Sequence, residues 1–189
     1  SELIPVSLPS SFSLDLKMRA FIGFDLPENV RNVLLSLQNK QVSKIAKVKW
    51  VSKKNFHQCF KFLPSLLEKD VEKVKDLLSQ IKFKPFEVKL GDVGFFPNEI
   101  NINVVWIGLE PQIKIMELQQ DIDDKLRELF KPEERFAVHV TLGRVKYAKD
   151  VELFRKLILS KEYDRVKFKV DSFKLYKSDL NKDGPSYSV

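Results

Sequence analysis

Phe136-Ala137-Val138-His139-Val140-Thr141-Leu142-Gly143-Arg144-Val145 reads as an apolar strand interrupted by an imidazole, a hydroxyl and a guanidinium, and Phe56-His57-Gln58-Cys59-Phe60-Lys61-Phe62-Leu63 has the same outline earlier in the chain. His57 and His139 are the only histidines. The only cysteine and the only threonine each stand two residues after one of them. Residues i and i+2 of a strand point the same way, so each tripeptide sets an imidazole beside a small polar group on one surface. Two such surfaces facing each other would flank a phosphate.

Working outward, Arg19 to Leu26 runs apolar and alternating like a strand, Pro27 stands where a helix opens, and Val30, Val33, Leu34 and Leu37 recur at helical spacing. Lys47 to Val51 reads as a short strand and Ser52 to Asn55 as a turn, and Pro64 is expected to end the first histidine strand. Leu67, Val71, Val74, Leu77, Leu78 and Ile81 predict an amphipathic helix. Phe86, Val88 and Leu90 alternate, Gly91 to Asn98 looks rich in turns, and Ile102 to Leu109 is a strongly apolar strand. Ile115, Leu118, Ile122, Leu126 and Leu129 mark a helix face before the second histidine strand; a short helix over Val151 to Leu159 and a strand over Val166 to Tyr176 follow. Strand, helix and histidine strand thus recur in one order, with 36 residues from Phe21 to His57 and 34 from Val105 to His139. The halves hardly match in sequence, but their order predicts pseudo-twofold lobes with one histidine each.

With 189 residues, 43% hydrophobic and 31% charged, the chain suits one globular domain with a sizeable core. A lone cysteine rules out an internal disulfide framework. One Cys with two His also falls short of a typical structural zinc site, so chemistry without metal or cofactor, in a reducing compartment, is expected. No run approaches the ~18 apolar residues of a membrane span, which predicts a soluble, cytoplasmic protein. The net charge of +7 favours a polyanionic partner, although a lysine-rich surface that merely aids solubility accounts for charge alone equally well. Residues 1–17, rich in Ser and Pro, read as an extension, a tag or disordered segment, ahead of a single domain over residues 18–189 that opens at Met18.

Several stretches together resemble one family: Met18-Arg19-Ala20-Phe21-Ile22-Gly23-Phe24-Asp25, Asn55-Phe56-His57, Lys61-Phe62-Leu63, Gly94-Phe95-Phe96-Pro97-Asn98 and His139-Val140-Thr141-Leu142-Gly143-Arg144-Val145-Lys146. They look like the LigT-like 2'-5' RNA ligase or RNA 2',3'-cyclic phosphodiesterase family of 2H phosphoesterases. Lys177-Ser178-Asp179-Leu180 and Gly184-Pro185 resemble that family's final hairpin. The resemblance implies an α+β fold of two lobes, each an antiparallel sheet with helices on its outer face, and a basic active-site cleft between them. It implies a metal-independent enzyme that opens a terminal 2',3'-cyclic phosphate to a 2'-phosphate, and that can join RNA ends through a 2'-5' bond. The partners it implies are RNAs with 2',3'-cyclic phosphate ends, tRNA fragments being candidates; a monomer is the default expectation.

Opening a cyclic phosphodiester needs a base for the attacking water and an acid for the departing ribose oxygen. With unperturbed pKa values near ~6.5, two imidazoles can divide that work, and His57 is assigned as general acid and His139 as general base. Thr141 and Cys59 would each donate to a non-bridging oxygen, Arg144 would contact RNA, and Phe96 is the candidate to stack a nucleobase at the cleft edge. Each has a plainer reading: half-buried strand histidines, a surface arginine and a core phenylalanine.

The chain departs from the family at Cys59, where Thr is expected, at Gln58 and Phe60, usually Leu, and at Pro64, usually Gly. A thiol donates more weakly than a hydroxyl, so the first motif is expected to be slower or altered in preference. Gln58 would point into the helix layer and need a partner there. Cys59 as a covalent nucleophile is a minor alternative. The competing functions are an RNA-end-binding module with catalysis impaired at Cys59 and an unrelated basic α+β nucleic-acid binder.

Overall fold

The apolar run after Arg19 folds as β1 (Lys17–Asp25), buried from Ala20 to Phe24, an inner strand with a neighbour on each side. The structure is a computed structural model describing residues 16–181 and 184–188, with side chains up to residue 179. Pro27 caps α1 (Glu28–Leu37), whose Val30, Leu34 and Leu37 are buried as their spacing predicts. Short 3-10 turns flank β2 (Ala46–Trp50) and lead into β3 (His57–Leu67). The order continues with α2 (Val71–Ser79), β4 (Phe86–Pro97), β5 (Ile102–Glu110), α3 (Ile113–Lys125), β6 (Val140–Ala148), α4 (Val151–Leu159), β7 (Lys167–Val170), β8 (Lys174–Asn181) and β9 (Gly184–Ser188).

These strands make two antiparallel sheets, β3-β1-β8-β9 and β2-β6-β5-β4-β7, so each histidine motif belongs to a different sheet and β3 touches β6. The fold is α+β with two lobes, as expected. The helices interlock them. Gln38, just past α1, donates to the carbonyls of Val51 at 2.7 Å and Leu142 at 3.1 Å, on the five-stranded side, although α1 follows β1 of the other sheet. α3 follows β5 of the five-stranded sheet yet packs on β3. Ile22, Leu34, Phe60, Ile107, Leu142 and Phe154 belong to one continuous core drawn from both lobes. At about 25 cal/mol per Å² of apolar surface, that shared core resists separation of the histidine strands.

Four expectations change. Pro64 does not end β3, which continues to Leu67: the strand lies at a sheet edge and pairs irregularly there, so the missing N–H leaves no ladder bond unmade, and α2 starts only at Val71. Gly91 to Asn98 is not a string of turns. β4 runs to Pro97, with an irregular step at Gly91-Asp92, and Gly94 leaves room for the Trp106 indole, which a Cβ would strike. The second histidine strand begins at Val140, so His139 stands just ahead of it. The strand expected over 166–176 is two, β7 in one sheet and β8 in the other, with residues 171–173 crossing between lobes. The final hairpin is present, pairing Lys177 with Ser188 and Asn181 with Gly184. Of the expected extension, residues 1–15 lie outside the described residues; Lys17 already pairs with Leu67.

Candidate active site

His57 opens β3 directly across from Asp25, with its Nδ1 2.7 Å from the Asn55 carbonyl. His139 repeats the arrangement, its Nδ1 2.9 Å from the Ala137 carbonyl. A carbonyl only accepts, so each Nδ1 carries the proton and each Nε2 is left as the nitrogen able to take up or release one. Rings hold both imidazoles. Phe21 stacks on His57 at 4.3 Å and on Tyr176 at 4.7 Å; Phe96 meets His139 edge-on at 5.0 Å and packs on Trp106 at 4.9 Å.

Burial lowers both imidazole pKa values below the usual histidine range. At His57 the Asn55 carbonyl and the Asp25 charge oppose that effect, while His139 adds to it. At His139 the Ala137 carbonyl opposes it and the Arg144 charge adds to it. The two histidines therefore sit in one cleft with unlike charged neighbours.

A bulge follows each motif at the same place. On β6, Thr141 pairs with Trp106 and Gly143 with Val105, leaving Leu142 extra. On β3, Cys59 pairs with Gly23 and Lys61 with Ile22, leaving Phe60 extra. An extra residue reverses the alternation, so Arg144 shares the face of Thr141 and Phe62 shares that of Cys59. The fifth residue after each histidine thus reaches the cleft face. Phe62 is 43% exposed, with the Arg19 guanidinium 5.5 Å from its ring centre.

Of the six candidates, His57 and Cys59 lie on β3, Thr141 and Arg144 on β6 with His139 just ahead of it, and Phe96 on β4; His57 and His139 are near enough for their charges to interact. Phe96 is half-buried as a wall for His139. Cys59 is half-buried, and burial, with the charge of Glu133, pushes its thiol up to about 12 against the Lys61 N–H from which it accepts. It is a thiol at neutral pH, which removes the ground for a thiolate nucleophile. Gln58 points into the helix layer, fully buried; its Nε2 donates to the Cys59 carbonyl at 2.9 Å and its Oε1 has no partner among the described residues. Sequence reasoning missed Phe21, Asp25, Trp106, Tyr176 and Lys49, which pairs with Arg144 across β2 and β6. Asp25 and Phe21 had a signal, standing i and i+4 on the strand preceding the first motif. Among the described residues, no three His, Cys, Asp or Glu side chains gather as a metal site.

A family model described as the 2'-5' RNA ligase superfamily matches residues 59–182. The chain belongs to this superfamily. It is 37% identical over 175 residues to the RNA 2',3'-cyclic phosphodiesterase of Methanocaldococcus jannaschii, covering 91% of this chain and 98% of that protein. It is 31% identical to the RNA 2',3'-cyclic phosphodiesterase of Thermotoga maritima, covering 91% and 92%. Among solved structures, TT0787 of Thermus thermophilus superposes with a TM-score of 0.73 at 25% identity, covering 90% of this chain and 94% of that one. Escherichia coli LigT superposes with a TM-score of 0.71 at 21% identity, covering 91% and 94%, which bears on the fold. The 2'-5' RNA ligase superfamily match begins at Cys59, two residues past His57, and takes in His139.

Proposed function

We propose that this chain hydrolyses RNA 2',3'-cyclic phosphate ends to 2'-phosphates. The observation that carries the reading is the twin arrangement of His57 and His139: each Nδ1 is held by the carbonyl two residues earlier, each is followed two residues on by a small polar residue, and the two motifs belong to strands of different sheets. Relatives named RNA 2',3'-cyclic phosphodiesterase support the substrate. His139 Nε2 takes a proton from water as its oxygen attacks phosphorus. The bond from phosphorus to O3' breaks, and His57 Nε2 gives its proton to that oxygen, leaving phosphate on O2'. Asp25 favours the protonated form of His57 and Arg144 the neutral form of His139, which matches these roles.

Thr141 and Cys59 hold the non-bridging oxygens, and Arg144 offers fixed charge to the RNA. Attack by a ribose hydroxyl in place of water would join ends through a 2'-5' bond at the same two histidines. The chemistry needs no metal. Residues 18–189 act as one monomeric unit in the cytoplasm, with tRNA fragments among the substrates. The weak donor at Cys59 favours a second reading, an end-binding module with slow turnover.

The test is incubation with an oligoribonucleotide ending in a 2',3'-cyclic phosphate, with EDTA present, and analysis of the terminus by mass and phosphatase sensitivity. A 2'-phosphate supports the reading. A 3'-phosphate contradicts the assignment of the leaving oxygen, loss of activity with EDTA contradicts the metal-free step, and tight binding without conversion favours the module.

A further inference from the structure

The five-stranded sheet extends one strand beyond the histidine strand, while β3 is itself an edge in the other lobe. That extra strand, β2, is polar on one face. Lys49 pairs with Arg144, and Lys47 pairs with Tyr147. Cross-strand partners share a face, and Lys47 and Lys49 share theirs at i and i+2. The bulge at Leu142 puts Arg144 on the face of Thr141, so all four side chains continue the surface that carries the second motif. The opposite face of β2 holds Ala46, Val48 and Trp50, packed on the core.

We propose that this face is a track for the single-stranded RNA preceding the cyclic end, so that the enzyme reads an oligonucleotide and not a terminal nucleotide alone. Lys49 with Arg144 takes the first internal phosphate, and Tyr147 with Lys47 takes the next base and phosphate. The inference rests on the phosphodiesterase reading for its direction along the sheet. Three observations carry it. Lys47, Lys49 and Arg144 make no ion pair with any described residue, although other surface lysines and arginines do. Tyr147 is 55% exposed and no described ring packs on it. Successive rows along β2 lie about 6.6 Å apart, near the length of one nucleotide in an extended strand, and alternating cations and aromatic faces are how single strands are held without sequence preference.

The test compares kcat/KM on a nucleoside 2',3'-cyclic phosphate with that on di-, tetra- and hexaribonucleotides bearing the same end. Wild type is expected to gain about tenfold by the tetranucleotide and little beyond. Lys47→Ala with Tyr147→Phe and with Tyr147→Ala should remove that gain in steps while leaving the mononucleotide rate unchanged. A rate independent of length, or equal loss on all substrates, overturns the track. If wild type hydrolyses none of them, the phosphodiesterase reading fails and the track is judged by binding of 2'-phosphate-ended oligonucleotides. Affinity that rises with length, and a salt slope reduced by about 0.7 on loss of Lys47, supports it. Equal affinity for mononucleotide and oligomer, or for a blunt duplex end, overturns it.

Discussion

Asp25 stands directly across β1 and β3 from His57, while the cation beside His139 is Arg144. Burial lowers both imidazole pKa values; the Asp25 charge opposes that at His57, and the Arg144 charge adds to it at His139. Asp25 thus favours the proton on His57 and Arg144 disfavours it on His139, the order that the proposed acid and base require.

This order fixes the pH dependence. Burial puts both values below the usual ~6.5, so kcat/KM should be bell-shaped with its maximum on the acid side of ~6.5. Activity falls at high pH as His57 loses its proton and at low pH as His139 gains one. Asp25→Asn removes a charge that raises His57 and should move the descending limb to lower pH. Arg144→Ala removes a charge that lowers His139 and should move the ascending limb to higher pH. Rate profiles of the two variants check both, and limbs that move in exchanged roles would reverse the assignment.

Cys59→Thr restores a hydroxyl donor at the first motif. A net hydrogen bond is worth about 1 kcal/mol, so a gain near fivefold in kcat/KM is expected on the cyclic-phosphate oligonucleotide. A gain of several hundredfold would mean that the thiol all but abolishes turnover, as the end-binding reading holds.

Lys61 is buried in the helix layer, its Nζ 2.6 Å from Asp123 Oδ1 and 2.7 Å from the Lys131 carbonyl. Asp123 Oδ2 accepts from Gln119 at 2.7 Å and from the Glu133 N–H at 3.0 Å. Burial would raise the Asp123 pKa, but these donors and the Lys61 charge hold it below the usual range. Its stabilisation is complete above the unfolded value near ~3.9 and fades as pH falls through the folded one. The cluster ties β3 to the segment that leads to His139. Lys61→Met should cost about 3–5 kcal/mol in urea unfolding by stranding the carboxylate, and adding Asp123→Asn should recover much of it.

Gln58→Leu removes the orphaned Oε1 from the core and should stabilise the protein by about 1 kcal/mol with kcat unchanged, as chemical denaturation and initial rates would reveal. A loss of stability would mean that the bond from Gln58 Nε2 to the Cys59 carbonyl outweighs the buried oxygen.

The two histidine motifs were legible because i and i+2 spacing needs only one strand to interpret, and because His, Cys and Thr occur nowhere else. Val30, Leu34, Ile115 and Ile122 marked their helices for the same local reason. The bulges were not legible. A bulge is a mismatch between two strands, and the sequence of β6 alone does not tell that Leu142 lacks a partner on β5. The positions of Arg144 and Phe62 on the cleft face follow from that mismatch. Gly94 misled toward a turn because its reason, the Trp106 ring, lies on the neighbouring strand. The step between β7 and β8 was hidden by apolar residues on both sides of the crossing.

The central claim is that His57 and His139 divide one proton-transfer reaction. Its most direct test is single-turnover hydrolysis of an RNA 2',3'-cyclic phosphate end by His57→Ala and His139→Ala, with folding checked by circular dichroism. Each folded variant is expected to lose roughly 100-fold or more in rate while still binding the RNA. A folded variant of either kind that keeps near-wild-type turnover would contradict the account.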